Sequence, residues 1–183
     1  DFYELCAEYV NSLNDTHDSF VLLSDYSASL GFSVDLYDGV LLFESITRSR
    51  LPLTAYPFVV GDHLVSVDGE DALELAARLA RYAAQGNPRA ALRQGAARIA
   101  SRAQSRFPHA PDLPDTSTIV VKRQSGALES YTIPWLKSGT PIEVGPVPSP
   151  MARAKSRSSL RTAAAPDPLA ELQFSGVTPE LQD

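Results

Sequence analysis

The sequence predicts a small α+β domain, with a helix before it and an extended proline-rich arm after it. Three observations carry that expectation. Short runs that alternate apolar and polar residues, such as Phe32–Leu36 and His63–Val67, sit next to Asp-Gly pairs suited to tight turns. Between the strand runs lie stretches with helical spacing. From Pro134 onward the chain holds eight of its 14 prolines, too many for a long helix or a central strand.

Taken in order, residues 1–13 place Phe2, Leu5, Cys6, Tyr9, Val10 and Leu13 at helical spacing, which predicts an amphipathic helix interrupted near Asn14-Asp15. Phe20–Leu23 is a short apolar stretch. Phe32–Leu36 is a half-buried strand, Asp38-Gly39 its hairpin turn, and Val40–Phe43 the more buried returning strand. His63–Val67 is the next strand, closed by Asp68-Gly69. Asp71 caps a helix over 72–82, and Asn87-Pro88 starts a second helix running to about Phe107. Thr118–Arg123 and Glu129–Pro134 form a last hairpin around Ser125-Gly126. Residues 137–183 read as a linker or arm.

Composition bounds the possibilities. With 183 residues, 44% hydrophobic and 21% charged, the chain has room for one domain with appendages. One cysteine, Cys6, excludes an internal disulfide and a cysteine-cluster metal site. No apolar run reaches the ~20 residues of a transmembrane helix. Position 1 is Asp and the sole methionine is Met151, so the sequence reads as a fragment or a processed chain. The net charge of −6 is segregated: residues 1–74 carry 14 acids and two arginines, whereas 75–111 carry seven arginines and no acid. Arg89, Arg93, Arg98, Arg102 and Arg106 share one broad side of the expected helix. That side is either solvated or docked on acidic surface. Nucleic acid is not expected, because no aromatic platform or groove-reading motif accompanies the stripe.

Two motifs point to a site. Ser29-Leu30-Gly31-Phe32 leads into the alternating strand, and a glycine there lets consecutive N–H groups converge into an anion nest suited to a carboxylate. Gly61-Asp62-His63-Leu64-Val65-Ser66-Val67-Asp68-Gly69, followed by a helix, is the second. Together they resemble the carboxylate-binding loop and the Gly-Asp…Val-Asp-Gly segment of PDZ domains. Upstream, Tyr9–Phe20, with its Leu-Asn-Asp-Thr-His-Asp-Ser-Phe ending, is similar to the segment that precedes the PDZ domain in C-terminal processing (tail-specific) serine peptidases. The resemblance covers about residues 5–136.

It implies a PDZ-like, partly open β-barrel or sandwich over 26–136, with a helical insertion at 88–107. Residues 1–25 would be an N-terminal helical segment, and 137–183 a linker toward a peptidase domain absent from this sequence. The implied function is peptide recognition for a bacterial-type, periplasmic or extracellular serine peptidase. An extended substrate would pair with the 32–36 strand. Its terminal carboxylate would sit on the amides of Leu30, Gly31 and Phe32, with Ser33, Val34, Leu75, Ala76 and Leu79 lining the groove. Expected partners are protein C-termini and an intramolecular peptidase domain. A non-catalytic PDZ scaffolding module is the alternative, and a groove filled by the chain's own proline-rich tail is a third possibility.

Two departures from that family stand out: Arg50–Phe58 replaces the small-residue stretch expected there, and the arginine helix is extra. No catalytic residue is assigned, because Lys122, Lys137 and Lys155 lack the buried setting of a general-base lysine. No cofactor is expected. Asp15 and His17 are read as a helix end and a local hydrogen bond, since two ligands do not close a zinc site. Asp62 is expected to bind local backbone.

Overall fold

The computed structural model describes residues 2–84 and 86–145 of the chain. Its α+β architecture joins a six-stranded sheet and a three-stranded one, neither closed into a barrel. The helix α1 (Phe2–Ser12) leads to β1 (Ser27–Ser29), β2 (Phe32–Tyr37) and β3 (Val40–Ile46). Then come β4 (His63–Val67), the two-residue β5 (Glu70–Asp71) and the helices α2 (Ala72–Ala80) and α3 (Pro88–Ala97). The chain continues through β6 (Ser101–Ala103), a short 3-10 turn (Ala110–Asp112), β7 (Thr116–Lys122), β8 (Leu128–Pro134) and β9 (Leu136–Ser138).

The hairpins form where turn chemistry asks for them. Asp38 and Gly39 have φ of 46° and 83°, and Asp68 and Gly69 have 52° and 85°, the successive left-handed residues that match the twist of the flanking strands. The larger sheet runs β2-β3-β4-β7-β8, with β5 attached to β4. Its β2–β3 register slips between Ser33 and Val34, which bulges Glu44 outward. Inside, Phe32, Phe43 and Phe58 cluster edge-on and tilted, with centroids 4.7–6.4 Å apart, and join Leu41, Leu64, Ile119, Val121 and Ile133 in the core.

Three expectations need correction. The arginine-rich helix ends at Ala97, not near Phe107. Ala and Arg favour helix locally, but Ile99 and Ala100 are buried in the core, and the chain turns so that β6 pairs with β1. Arg98, Arg102 and Arg106 therefore share no helix face with Arg89 and Arg93. Next, Leu136–Ser138 is strand, pairing Ser29 with Leu136 and Ser27 with Ser138. The chain then stays tied to the body: Thr140 N–H donates to Asp25, and Ile142 exchanges two hydrogen bonds with Gln104. Of the arm read as a linker, 146–183, with Lys155, lies outside the described residues. Last, α1 buries Ala7 and Asn11, while Phe2, Leu5, Tyr9 and Leu13 remain exposed. The helix is amphipathic, but its large apolar side chains face outward. Between Arg50 and Phe58 the chain makes turns only, held by Arg48, which donates to the carbonyls of Leu51, Tyr56 and Phe58.

Candidate functional site

The strand β2 is an edge of the larger sheet, and the wall formed by α2 packs on β4 and β3. Asp71 starts that wall by accepting hydrogen bonds from the N–H groups of Leu73 and Glu74. The apolar side of α2, Leu75, Ala76 and Leu79, is buried, as are Leu30, Phe32 and Val34. Seven of the eight residues expected to bind peptide are therefore buried, Gly31 among them. Ser33 is half-exposed and its hydroxyl pairs with that of Ser45 at 2.7 Å.

Between β2 and α2 lies α3, in contact with both. Asn87 caps it with bonds from Arg89 N–H and Ala90 N–H, and Pro88 fits at its first turn. Gly95 then packs on α2 so closely that an added Cβ would lie 1.9 Å from the Ala76 carbonyl oxygen. On the other flank, Arg93 makes a two-pronged ion pair with Asp35 of β2. Asp35 is 8% exposed, and the Arg93 guanidinium holds its carboxyl below the usual carboxylate value. What remains open beside β2 is a pair of shallow clefts of mixed polar and apolar lining, about 440 and 420 Å³, that share Ala90 and Arg93.

The loop at Gly31 has the expected backbone but not free donors. Gly31 has φ of 85°. Leu30 N–H donates to the Ala100 carbonyl at 2.9 Å, and Gly31 N–H to the Ser29 hydroxyl at 3.1 Å. Phe32 enters the ladder opposite Ile46. Two of the three nest amides are therefore engaged within the chain, the first by the segment that follows α3. The Pro-rich tail was the occupant considered from sequence; among the described residues it is the inserted helix that covers this groove.

One nearby residue escaped the sequence reading. Arg50 arches over Gly31, its Cδ 3.2 Å from where a Cβ would stand, and donates to the Ser29 carbonyl at 2.6 Å. Its pairing with a loop 20 residues away has no signature in local spacing.

The other candidates are structural. Asp62 accepts from Val59 N–H at 2.7 Å and Gln124 N–H at 3.2 Å and pairs with Arg123 at 3.0 Å, fixing the entrance of β4. Asp15 accepts from the backbone N–H of His17 at 2.9 Å and meets its ring at 3.0 Å, on exposed surface. Lys137 is tied to the Leu113 carbonyl and Asp115, and Lys122 is exposed on β7. Neither lysine adjoins a serine set up as a nucleophile.

Comparison with known proteins agrees with this geometry. A PDZ domain family model matches residues 26–143. Among solved structures, mature CPAF complexed with lactacystin aligns over 92% of this chain and 29% of its own, at 25% identity and a TM-score of 0.62. Mature CPAF aligns over 88% and 28%, at the same identity and TM-score. The chain thus spans under a third of the CPAF chains it matches. No curated protein matches the sequence. With the edge strand, the facing helix and the glycine loop in the arrangement this family is built on, and the family model covering most of the chain, the chain belongs to the PDZ domain family.

Proposed function

We propose that this chain is the peptide-recognition portion of a serine-type processing peptidase and that α3 covers its groove in the state described here. CPAF is a tail-specific-protease-like serine peptidase, and the likeness to it supports a peptidase as the parent protein. The observation that carries the binding role is the β2 edge set opposite α2, the geometry by which an extended peptide adds to a sheet. The ligand class is a protein C-terminus, with its carboxylate on the amides of Leu30 and Gly31 once Ala100 withdraws. Catalysis belongs to a separate peptidase domain, and a periplasmic or extracellular site of action accompanies the reading.

Covering the groove lowers apparent affinity by the fraction of molecules in which α3 is displaced. Two variants test this: Arg93→Glu, which sets two carboxylates against each other, and replacement of residues 88–97 by a short Gly/Ser linker. Peptides with free C-termini are expected to bind the folded variants at least ~10-fold more tightly than the parent chain, and amidated peptides are not. Folded variants that bind neither form, or both equally, would remove the carboxylate role. They would leave a PDZ module that serves as a docking or scaffolding element.

A further inference from the structure

The stretch after α3 buries positive charge with no acid in ion-pair contact among the described residues. Arg98 and Arg102 make no ion pair among the described residues. Both guanidinium groups lie against Phe107, 5.7 and 5.8 Å from its ring centre, and that of Arg102 is also 6.0 Å from Trp135. Cation–π contact offsets part of the cost of burying a cation, but not the whole. Burial, followed by the nearby charge of Arg78, pushes Arg102 down to about 10.

Arg102 is also held in place. Its Nε donates to the Arg98 carbonyl at 2.7 Å, while Trp135 is fixed by its own N–H bond to Ser117 at 2.8 Å, and Phe107 packs on Tyr82 at 4.7 Å. No acceptor among the described residues meets the two terminal nitrogens of Arg102. Beside it opens a cavity of about 170 Å³, lined also by Arg78, Arg81, Glu4, Tyr82 and His109. That is roughly the liquid volume of five or six waters, enough for one oxyanion and part of its hydration. The other two arginines already have acids: Arg78 grips Glu70, and Arg81 reaches Glu4 and Glu8. Of the three arginines that line the cavity, Arg102 is the one with no acid in ion-pair contact among the described residues, Glu70 and Asp68 acting on it only through space.

We propose that this cavity binds a small oxyanion, a phosphate or a carboxylate, with Arg102 as the principal donor and Arg78 as the second. An arginine with a fixed plane and two free terminal nitrogens presents the fork that such oxygens accept. The inference does not depend on peptide recognition at β2.

The test is thermal unfolding of the intact chain at pH 7 in phosphate, acetate or chloride at matched ionic strength, with 31P line broadening as a direct readout. The parent chain and the exposed-site control Arg89→Met should show a saturable rise in midpoint with phosphate, and a smaller one with acetate. The rise should vanish in Arg102→Met and shrink in Arg102→Lys. Should Arg102→Met fail to fold, Arg102→Lys and the 31P titration of the parent decide. A rise with acetate alone identifies a carboxylate site. Equal behaviour in all three salts, or a full phosphate response in the folded Arg102 variants, overturns the proposal.

Discussion

On either side of the end of α3, Arg93 and Gln104 treat buried polarity in one way, and Arg98 between them treats it in the other. In α3, Arg93 reaches a nearly buried carboxylate, Asp35, and fastens the helix to β2. In the next stretch Gln104 is fully buried and satisfied. Its amide NH2 donates to the carbonyls of Pro108 and Ile142, and its oxygen accepts from Ser24 and from Ile142 N–H. Arg98, six residues earlier, carries a buried Nη1 with no partner. Burial pushes Arg98 down to about 10. A polar group that closes its own bonds fixes the fold, whereas one left open costs stability unless something outside the fold completes it.

That contrast can be broken from either side. The largest effect is expected at Gly95, where any Cβ overlaps the Ala76 carbonyl: Gly95→Val should cost about 3 kcal/mol or more by forcing α3 off α2. Chemical denaturation measures the loss, and a parent-like midpoint would mean that the two helices are not held in contact. Next comes Gln104→Leu, which strands four hydrogen-bonding partners and should cost about 2–3 kcal/mol.

The Arg93–Asp35 pair sets a pH dependence. Its carboxyl is held below the ordinary value of 3.8 chiefly by the Arg93 hydrogen bonds. The folded state therefore binds this proton less readily than the unfolded chain. The resulting stability is present above the unfolded value and disappears as pH falls through the folded one. Arg93→Ala should be less stable than the parent near neutrality, and the two should converge in acid. A gap that persists in strong acid, where the carboxyl is protonated in both states, would assign the loss to packing instead. Smallest is Arg98→Met, which removes the orphan donor but keeps a long side chain on Phe107. It should gain about 1 kcal/mol, and a loss would mean that the Phe107 contact outweighs the open bond.

What could be read from the sequence follows the range of the forces involved. The hairpins at Asp38-Gly39 and Asp68-Gly69, and the caps at Asp71 and Asn87, depend on residues within a few positions of one another, so local chemistry exposes them. The end of α3 does not, because Ala and Arg continue to favour helix past Ala97 while the core claims Ile99 and Ala100. The strand β9 was hidden for a related reason, since its partner β1 lies more than 100 residues away. At the groove, the Leu30-Gly31-Phe32 motif marked the right loop. It did not reveal that Ala100 would take the Leu30 amide, because that contact joins segments 70 residues apart.

The short strand Ser27–Ser29 gathers two partners, one from the middle of the sequence and one beyond position 135. Its three-stranded sheet cannot assemble until nearly the whole domain has emerged and long loops have closed, a slow and entropically costly order of events. A chain cut just before Leu136 would bare one side of that strand, leaving an unsatisfied margin open to pairing with a neighbouring molecule. Residues Leu136–Ser138 therefore seal that margin of the domain.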